Sequence, residues 1–312
     1  MSNKPVIGVS GCLMGHNVRF DGGHKRDRLI TDVLAEHMEV KTVCPEVGIG
    51  LGTPRPTIRL QDINNQTRLV NSKDPDTDLT DTMLNYSNQV LDKFADVDGF
   101  IFKKGSPTCG AFRVPVVVHK QGHRRNDGTG LFAEQFMQRY PWIPVEEEGR
   151  LKDSALRENF FERVYALQRW HNIPDPDRNL LAFTNFHAAH KLMLMARSQV
   201  EHRQLGRYVA ETNYENLKQR RQVYLEHFML VMQKKASKGQ HVNVLMHIMG
   251  YLKNKLTSGD KHELLTHFES YRKNHLSLAS LILLLRHHLR KHPDPYLAKQ
   301  HYLAPYPVEF SG

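Results

Sequence analysis

The chain holds three cysteines, Cys12, Cys44 and Cys109, and each closely follows a short strand-like segment. These segments lie at residues 6–9, 40–43 and 99–102. Their apolar residues are typical of strands in a parallel sheet, and the glycines and prolines that follow them end regular structure. Because parallel strands end on the same side of a sheet, and ligands bind there in open α/β folds, we expect the three thiols to meet at one edge.

Three thiolates can hold a zinc ion or three irons of a cubane cluster. The chain has no Cys-x-x-Cys pair, so neither a zinc ribbon nor a ferredoxin-type run is available. A structural zinc usually takes a fourth protein ligand, whereas a cluster held by three cysteines leaves one iron open to bind a substrate. The third alternative is three unrelated buried cysteines, because free cysteine is among the most buried residue types.

Two polar side chains accompany the cysteines to the same edge. Glu46 lies two residues after Cys44 and could act as a general acid or base, or only as a carboxylate that supports a helix N-terminus. Ser106 lies three residues before Cys109 and could orient water or a leaving group, or only cap a turn. At this point both residues are candidates for catalysis and both alternatives are open.

Charged residues at the same turns are candidates for holding a substrate. Lys103 and Lys104 could bind a phosphate beside the site or be ordinary surface lysines. Arg19 and Asp21 lie in the segment that closes the loop after Cys12, which could be a plain turn or a lid. We predict that Arg19, Asp21 and Lys104 bind the substrate.

The positive charge of the chain is confined to its second half. Residues 1–150 hold 19 Lys/Arg and 19 Asp/Glu, whereas residues 151–312 hold 24 and 14, so the whole net charge of +10 falls in the second half. Such an asymmetry is typical of a module that binds a polyanion such as nucleic acid, although a basic surface without a partner gives the same count.

Composition excludes several classes of protein. No apolar run approaches the roughly 20 residues of a membrane span, and the N-terminus lacks the apolar core of a signal peptide. Three cysteines among 312 residues do not make a disulfide framework. These features predict a protein of a reducing, cytoplasmic compartment without a membrane partner.

The first half alternates predicted strands and helices. The strands lie at residues 4–10, 40–43, 57–60, 67–70, 99–102, 115–119 and 142–145, and the helices lie at residues 26–37, 79–94 and 130–139. This alternation predicts an α/β fold, a Rossmann-like three-layer sandwich with a mostly parallel sheet. We expect this domain to span residues 1–150, with its boundary near residues 146–155.

The second half, residues 151–312, predicts an all-α domain. Its helical stretches lie at residues 154–170, 179–205, 214–235, 240–256, 261–271 and 276–291. The candidate RNA-binding residues combine cations with an aromatic ring, and they are Lys191, Tyr251, Lys253, Arg286, Arg290 and Lys291. The same residues have alternative explanations. Basic side chains stabilise a helix C-terminus, and the tyrosine could simply pack under the helices. His187 and His190 share a helix face with Lys191, a spacing that can also make a metal site.

Four motifs of the first half resemble those of the TudS-like family of thiouracil/thiouridine desulfidases. They lie at residues 10–13, 19–22, 44–46 and 104–110, and the resemblance covers about residues 4–145. It implies that Cys12, Cys44 and Cys109 ligate a 4Fe-4S cluster and that Glu46 and Ser106 are its catalytic pair. Phe20 stands where the family usually has tyrosine.

The second half resembles a helical, YbgA-like family of unassigned activity. The matching stretches lie at residues 185–192, 247–253, 284–290 and 302–307. The fused arrangement resembles tRNA 4-thiouridine desulfidases, and it implies that the helical part holds a tRNA that carries 4-thiouridine, with no DNA expected.

The resemblance implies a reaction without net electron transfer. An open iron would take the exocyclic sulfur, since sulfur is a soft ligand, while water adds at the ring carbon with Glu46 as acid and base. Two alternatives from other classes stay open: an iron–sulfur or zinc RNA-binding regulator without catalysis, and a small-molecule lyase or hydratase with an open iron.

Overall fold

The computed structural model describes residues 4–118, 123–307 and 310 of the chain. The chain divides into two compact units, Met1–His171 and Asn172–Gly312.

The first unit is built on a parallel sheet. The strands described in the chain are β1 (Val6–Ser10), β2 (Glu39–Val43), β3 (Ile58–Ile63), β4 (Gln66–Asn71), β5 (Gly99–Phe102), β6 (Val114–Val117), β7 (Arg124–Gly128) and β8 (Val145–Glu147). The sheet has the order β2-β1-β5-β8, and all of its neighbouring strands run parallel. All four residues of β5 are buried, as a continuous apolar run in a parallel sheet predicts. The predicted mostly parallel α/β fold is therefore confirmed.

A second, mixed sheet has the order β4-β3-β6-β7. The predicted pair of short strands is observed as the antiparallel hairpin β3–β4, whose turn residues Asn64 and Asn65 have φ of 55° and 63°. Asparagine tolerates this left-handed backbone better than most residues. The strand predicted at residues 115–119 is β6, which pairs in parallel with β3 and so belongs to this second sheet; its predicted last residue, His119, lies outside the described residues.

Helices cover the connections of the first unit. They are α1 (Ala35–His37), α2 (Pro45–Gly48), α3 (Thr80–Val90), α4 (Leu131–Arg139) and α5 (Ser154–His171), and a π-helical turn (Leu29–Leu34) leads into α1. The core beside the sheet is aromatic: Phe100 stacks on Phe102 at 4.1 Å and meets Phe136 edge-on at 4.9 Å. Gly8 is required beside these rings, because a Cβ there would lie 2.3 Å from Phe100.

The first unit extends past the boundary that the sequence suggested. We expected the first domain to end near residue 150, whereas the compact unit ends at His171 and includes α5. The reason is packing: a Cβ on Gly99 of β5 would lie 2.8 Å from Val164 of α5, and the Nδ1 atom of His171 lies 2.8 Å from a carboxylate oxygen of Asp98. Helix α5 therefore forms part of the α/β core.

The second unit contains helices and no strand among its described residues. Its helices are α6 (Leu180–Arg197), α7 (Gln199–Ala210), α8 (Leu217–Gln233), α9 (Lys238–Leu252), α10 (Ser258–Arg272) and α11 (Leu278–Lys291). The single helix predicted over residues 179–205 is two helices, because Ser198 is extended (φ −163°, ψ 115°) and its hydroxyl accepts a hydrogen bond from Glu201 N at 3.2 Å. The predicted all-α second part is otherwise confirmed.

No helix among the described residues combines the length and the apolar character that a membrane crossing requires.

Candidate functional site

The three cysteines line one cavity of about 320 Å³. Cys12 lies in a short 3-10 turn after β1, Cys44 is the N-cap of α2 after β2, and Cys109 lies in the turn that follows β5. The three strands are neighbours in the parallel sheet, and the thiols follow their carboxyl ends. The expected meeting of the three thiols at one edge is therefore what the structure shows.

The turn that carries Cys109 is held by its own backbone and by a serine. The hydroxyl of Ser106 accepts hydrogen bonds from the backbone N–H groups of Thr108 at 3.2 Å and Cys109 at 3.0 Å. The turn also requires Gly110, because a Cβ there would lie 2.4 Å from Val114 and 2.7 Å from the carbonyl oxygen of Ser106. The capping role considered for Ser106 is thus observed, and the hydroxyl also lines the cavity.

The thiols are electrostatically coupled. Burial raises the pKa of Cys12 to about 11, with a further contribution from the neighbouring Cys44. Burial likewise raises the pKa of Cys44 and of the fully buried Cys109, whose neighbours include the other two thiols. Without a metal the thiols are therefore protonated at neutral pH, and a metal that binds them must displace these protons.

The three thiols line one cavity, so they are placed to hold a single metal centre together. Both groups considered from the sequence, a zinc ion and an iron–sulfur cluster, can be held by three thiolates.

Glu46 and Ser106, the two predicted catalytic residues, meet in this cavity. One carboxylate oxygen of Glu46 accepts a hydrogen bond from Thr108 Oγ1 at 3.0 Å and a longer one from Ser106 Oγ at 3.4 Å. The other oxygen accepts from Arg55 Nε at 3.1 Å and from Nη2 at 2.5 Å. The carboxylate is therefore fixed from both sides.

Arg55 is a site residue that the sequence analysis did not select. It is only 8% exposed, and besides Glu46 its guanidinium donates to the carbonyl oxygens of Gly52 at 2.9 Å and Val18 at 2.8 Å. In the sequence, Arg55 is marked only by its place between Pro54 and Pro56. The glycines and prolines of residues 48–56 predict an irregular segment, and such a segment does not indicate where the side chain points. Thr108, the second missed residue, lies inside a motif that was singled out for its cysteine and serine.

The predicted substrate-binding residues divide into two kinds. Arg19 lines the cavity, its guanidinium lies 5.1 Å from the centre of the Phe20 ring, and its Nε lies 3.4 Å from a carboxylate oxygen of Asp21. Asp21 does not line the cavity. Its pKa is lowered mainly by a hydrogen bond from the backbone N–H of Gly23. Asp21 thus supports the turn that presents Arg19.

The two lysines of the site also differ. Both line the cavity, but the ammonium of Lys103 forms an ion pair with Glu148, whose carboxylate also accepts from the backbone N–H of Lys104 at 2.8 Å. The Lys104 ammonium has no ion-pair partner among the residues that the structure describes. Lys104 is therefore the cation at this turn that is available to an anionic ligand.

In the second unit the structure places most of the predicted RNA-binding residues on the surface. Lys191 is half-buried, and the exposed residues are Tyr251, Lys253, Arg286, Arg290 and Lys291. The ring of Tyr251 already stacks on Tyr296 at 5.0 Å, so one face of it is used inside the unit. Burial raises the pKa of Tyr296 to about 12.

The two histidines considered for a metal site occupy the helical core. His187 Nδ1 lies 3.0 Å from the hydroxyl of Tyr224, and His190 Nδ1 lies 2.7 Å from the carbonyl oxygen of Phe186. Burial lowers the pKa of His187 to about 4. These contacts are those of histidines packed in the helical core.

Comparison with known families divides the chain into the same two parts. Residues 7–148 match the model of the 2-thiouracil desulfurase family, and residues 191–307 match the model of DUF1722, a family described as a protein of unknown function. The first part of the chain is therefore similar to the 2-thiouracil desulfurase family and the helical part to the DUF1722 family, as the motifs had indicated.

Two individual proteins resemble parts of the chain. The uncharacterized protein YbgA of Escherichia coli (strain K12) is 29% identical over 146 residues, which are 46% of this chain and 86% of YbgA. The solved structure of a 4Fe-4S-dependent thiouracil desulfidase, TudS, is 28% identical and aligns with 50% of this chain and 98% of its own, with a TM-score of 0.40.

Proposed function

We propose, from the match of residues 7–148 to the 2-thiouracil desulfurase family, that the chain is a 4Fe-4S-dependent desulfidase that converts 4-thiouridine in tRNA to uridine. The observation that carries this proposal is the cavity in which three thiols meet a fixed carboxylate and a hydroxyl. In this cavity the Glu46 carboxylate faces the hydroxyls of Ser106 and Thr108, where it can serve a reaction as acid or base.

Cys12, Cys44 and Cys109 are the ligands that would hold the cluster. When bound through three thiolates, such a cluster supplies one iron without a protein ligand, a Lewis acid with affinity for sulfur. The cations that line the cavity, Arg19 and Lys104 among them, suit the negative charge of three thiolates and of a nucleotide.

Glu46 is positioned to move protons during hydrolysis. Arg55 fixes one carboxylate oxygen, and the other faces the hydroxyls of Thr108 and Ser106 inside the cavity. In the proposed reaction Glu46 accepts a proton from the attacking water, a carbon–oxygen bond forms, and the carbon–sulfur bond breaks. Glu46 then returns this proton to the departing sulfur, which leaves as hydrosulfide (HS⁻). The second proton of the water is released to solvent as the carbonyl of uridine forms, so one water is consumed and no electron is lost or gained.

Two features support tRNA as the substrate: the positive charge of the second half and the limited access of a base to the cavity. Residues 151–312 carry the whole net charge of +10, and five of their predicted RNA-binding residues are exposed. A base inside a folded RNA cannot enter a cavity of about 320 Å³ unless the nucleotide is turned out of its stack. A basic helical unit would hold the RNA while this nucleotide enters the site.

The test is reconstitution of the full chain with iron and sulfide under anaerobic conditions, followed by incubation with tRNA that contains 4-thiouridine. We expect uridine to appear in place of 4-thiouridine, with one sulfide released per nucleoside. Glu46→Gln should keep the cluster and lose about 10²–10⁴-fold in rate. A loaded protein that binds tRNA without converting it would instead establish the regulator alternative.

A further inference from the structure

A second groove lies directly beside the catalytic cavity. It has a volume of about 220 Å³, and it shares Ile58, Gly105 and Pro107 with the lining of the cavity. These shared residues lie at the start of β3 and in the turn before Cys109. The cavity and the groove are therefore neighbours in the first unit, with these three residues between them.

Strands β3, β6 and β7 of the mixed sheet line the groove, with Arg59, Val117 and Arg124 among the lining residues. The register pairs Gln61 of β3 with Val117 of β6, and Val117 with Arg124 of β7, so these side chains lie in one row across the sheet. Arg59 precedes Gln61 by two residues and faces the same side. The alternating residue Leu60 is fully buried and faces the core.

The groove carries positive charge that no carboxylate among the described residues pairs with. The guanidinium of Arg59 donates to the side-chain oxygen of Gln61 at 2.7 and 3.2 Å, and this neutral partner leaves its charge in place. Arg124 is exposed and forms no ion pair with any residue that the structure describes. Lys104, next to the shared Gly105, adds a third cation at the junction.

We propose that this groove binds the sugar-phosphate of the nucleotide adjacent to the thiolated base, with Arg59 and Arg124 as its phosphate ligands. The inference rests on the proposed function, since it takes the cavity as the site of the base. Arginine binds phosphate oxygens through its planar fork of donors. A free base or nucleoside leaves the groove empty, so the groove selects a polynucleotide.

The test compares two substrates and three double variants of the reconstituted full chain. The substrates are 4-thiouridine tRNA and the free 4-thiouridine nucleoside. The first variant combines Arg59→Gln and Arg124→Gln. Its matched control combines Arg125→Gln and Arg113→Gln, which removes the same charge; Arg113 is the exposed residue before β6. Arg125 is the next residue of β7, and its guanidinium binds Asp62, Asp127 and Thr67.

We expect the variant to raise the KM for tRNA about 10-fold or more, because it removes hydrogen bonds between charged groups. Its kcat/KM for the nucleoside and its cluster absorbance should stay within twofold of the wild type. The control should change none of these values. Arg59→Lys with Arg124→Lys, which keeps the charge, should recover part of the tRNA affinity and so separates binding from a folding defect.

An unchanged KM for tRNA in the glutamine variant would overturn the inference while leaving the proposed desulfidase intact. An equal loss for tRNA and nucleoside would overturn it as well, since the residues would then act on the cavity. If the wild type converts neither substrate, the proposed function fails. The inference about the groove can then still be tested by measuring the affinity for a labelled uridine pentanucleotide by fluorescence anisotropy. Equal affinities of the wild type and the glutamine variant for that RNA would refute it.

Discussion

Arg55 lies almost entirely inside the protein although it carries a positive charge. Its charge is balanced by Glu46, and its remaining donors are used by two backbone carbonyls, which is the arrangement that makes a buried ion pair tolerable. The same contacts tie the irregular segment after α2 to the loop after Cys12, through Val18. One side chain thus orients the carboxylate and holds two walls of the cavity.

Arg55→Lys tests this role. Lysine keeps the charge but cannot reproduce the fork that binds Glu46 through both Nε and Nη2 while reaching the carbonyls. We expect a reconstituted variant with unchanged cluster absorbance and a kcat about 10- to 100-fold lower, with KM changed little. The control is Arg68→Lys, whose guanidinium contacts Asp78 and lies outside the cavity lining. Wild-type kcat in Arg55→Lys would show that Glu46 needs no such partner.

Each cysteine should be indispensable for the cofactor. Cys12→Ala, Cys44→Ala and Cys109→Ala each leave two thiols, and the cysteines of the chain number three, so no other thiol can replace the missing ligand. We expect each variant to lose the visible absorbance and the bound iron after reconstitution. Iron and sulfide analysis gives the measurement, and full cluster occupancy in any one variant would refute the three-ligand assignment.

The residues of the site were predictable to different extents. The meeting of the cysteines followed from their shared place after strands, because strand order and direction constrain where the ends of parallel strands lie. Glu46 and Arg55 are nine residues apart, and most of the backbone between them is irregular, so its path depends on tertiary packing. The same limit applies to Thr108, whose neighbours in sequence predicted a turn but not the direction of its hydroxyl.

At the scale of elements, the sequence located helices better than it located their ends. Apolar periodicity continues through residues 179–205, so it predicted one helix, yet the chain breaks at Ser198. Serine can satisfy the free N–H groups of a new helix, and tertiary packing decides whether it does so. Helix α5 shows the same limit, since its amphipathic pattern did not reveal which of the two cores it joins.

Ser198→Ala measures how much the N-cap of α7 contributes to the free energy of unfolding. The substitution removes the hydroxyl that accepts from Glu201 N, so we expect the free energy of unfolding to fall by about 1 kcal/mol. Urea unfolding followed by circular dichroism gives the value. The control is Ser258→Ala at the first position of α10, where the exposed side chain has no hydrogen bond with a described residue. A loss no larger than that of the control would mean that the cap does not define α7.

At the scale of the whole molecule, the histidines make stability depend on pH. Burial lowers the pKa of His187 and of His241 to about 4, below the 6.5 of an unfolded histidine. Below pH 6.5 the unfolded chain therefore binds protons that the folded chain does not, so stability falls as the pH drops from about 6.5 to about 4. For the 3%-exposed His187 the full effect is about 3 kcal/mol.

His187→Asn isolates this contribution. Asparagine can keep a hydrogen bond to Tyr224 but does not titrate, so the variant should lose less stability than the wild type between pH 7.5 and pH 5. The measurement is urea unfolding at the two pH values. The control is His262→Asn, the same substitution at an exposed histidine. Parallel pH profiles for the wild type and His187→Asn would contradict the lowered pKa.

The separation of charge along the chain leads to the last prediction. Residues 151–312 carry the net charge of +10 and contain none of the three cysteines, so RNA capture and chemistry should respond to different substitutions. Arg286, Arg290 and Lys291 are exposed on α11. Replacing all three with glutamate should weaken tRNA binding and leave the cluster absorbance unchanged. The slope of log affinity against log salt should become shallower by about 0.9 for each duplex phosphate that the variant no longer neutralises.

The matched control reverses Lys73, Lys93 and Lys152, three exposed lysines of the first unit, and so makes the same change in net charge. Nitrocellulose filter binding at several salt concentrations gives affinity and slope for the wild type and both variants. If α11 binds the RNA directly, its variant alone should lose affinity, because salt at 0.1 M screens exposed charges that lie more than about 10 Å from the phosphates. Equal losses in the two variants would show that tRNA responds to overall charge, and α11 would no longer be assigned as the RNA surface.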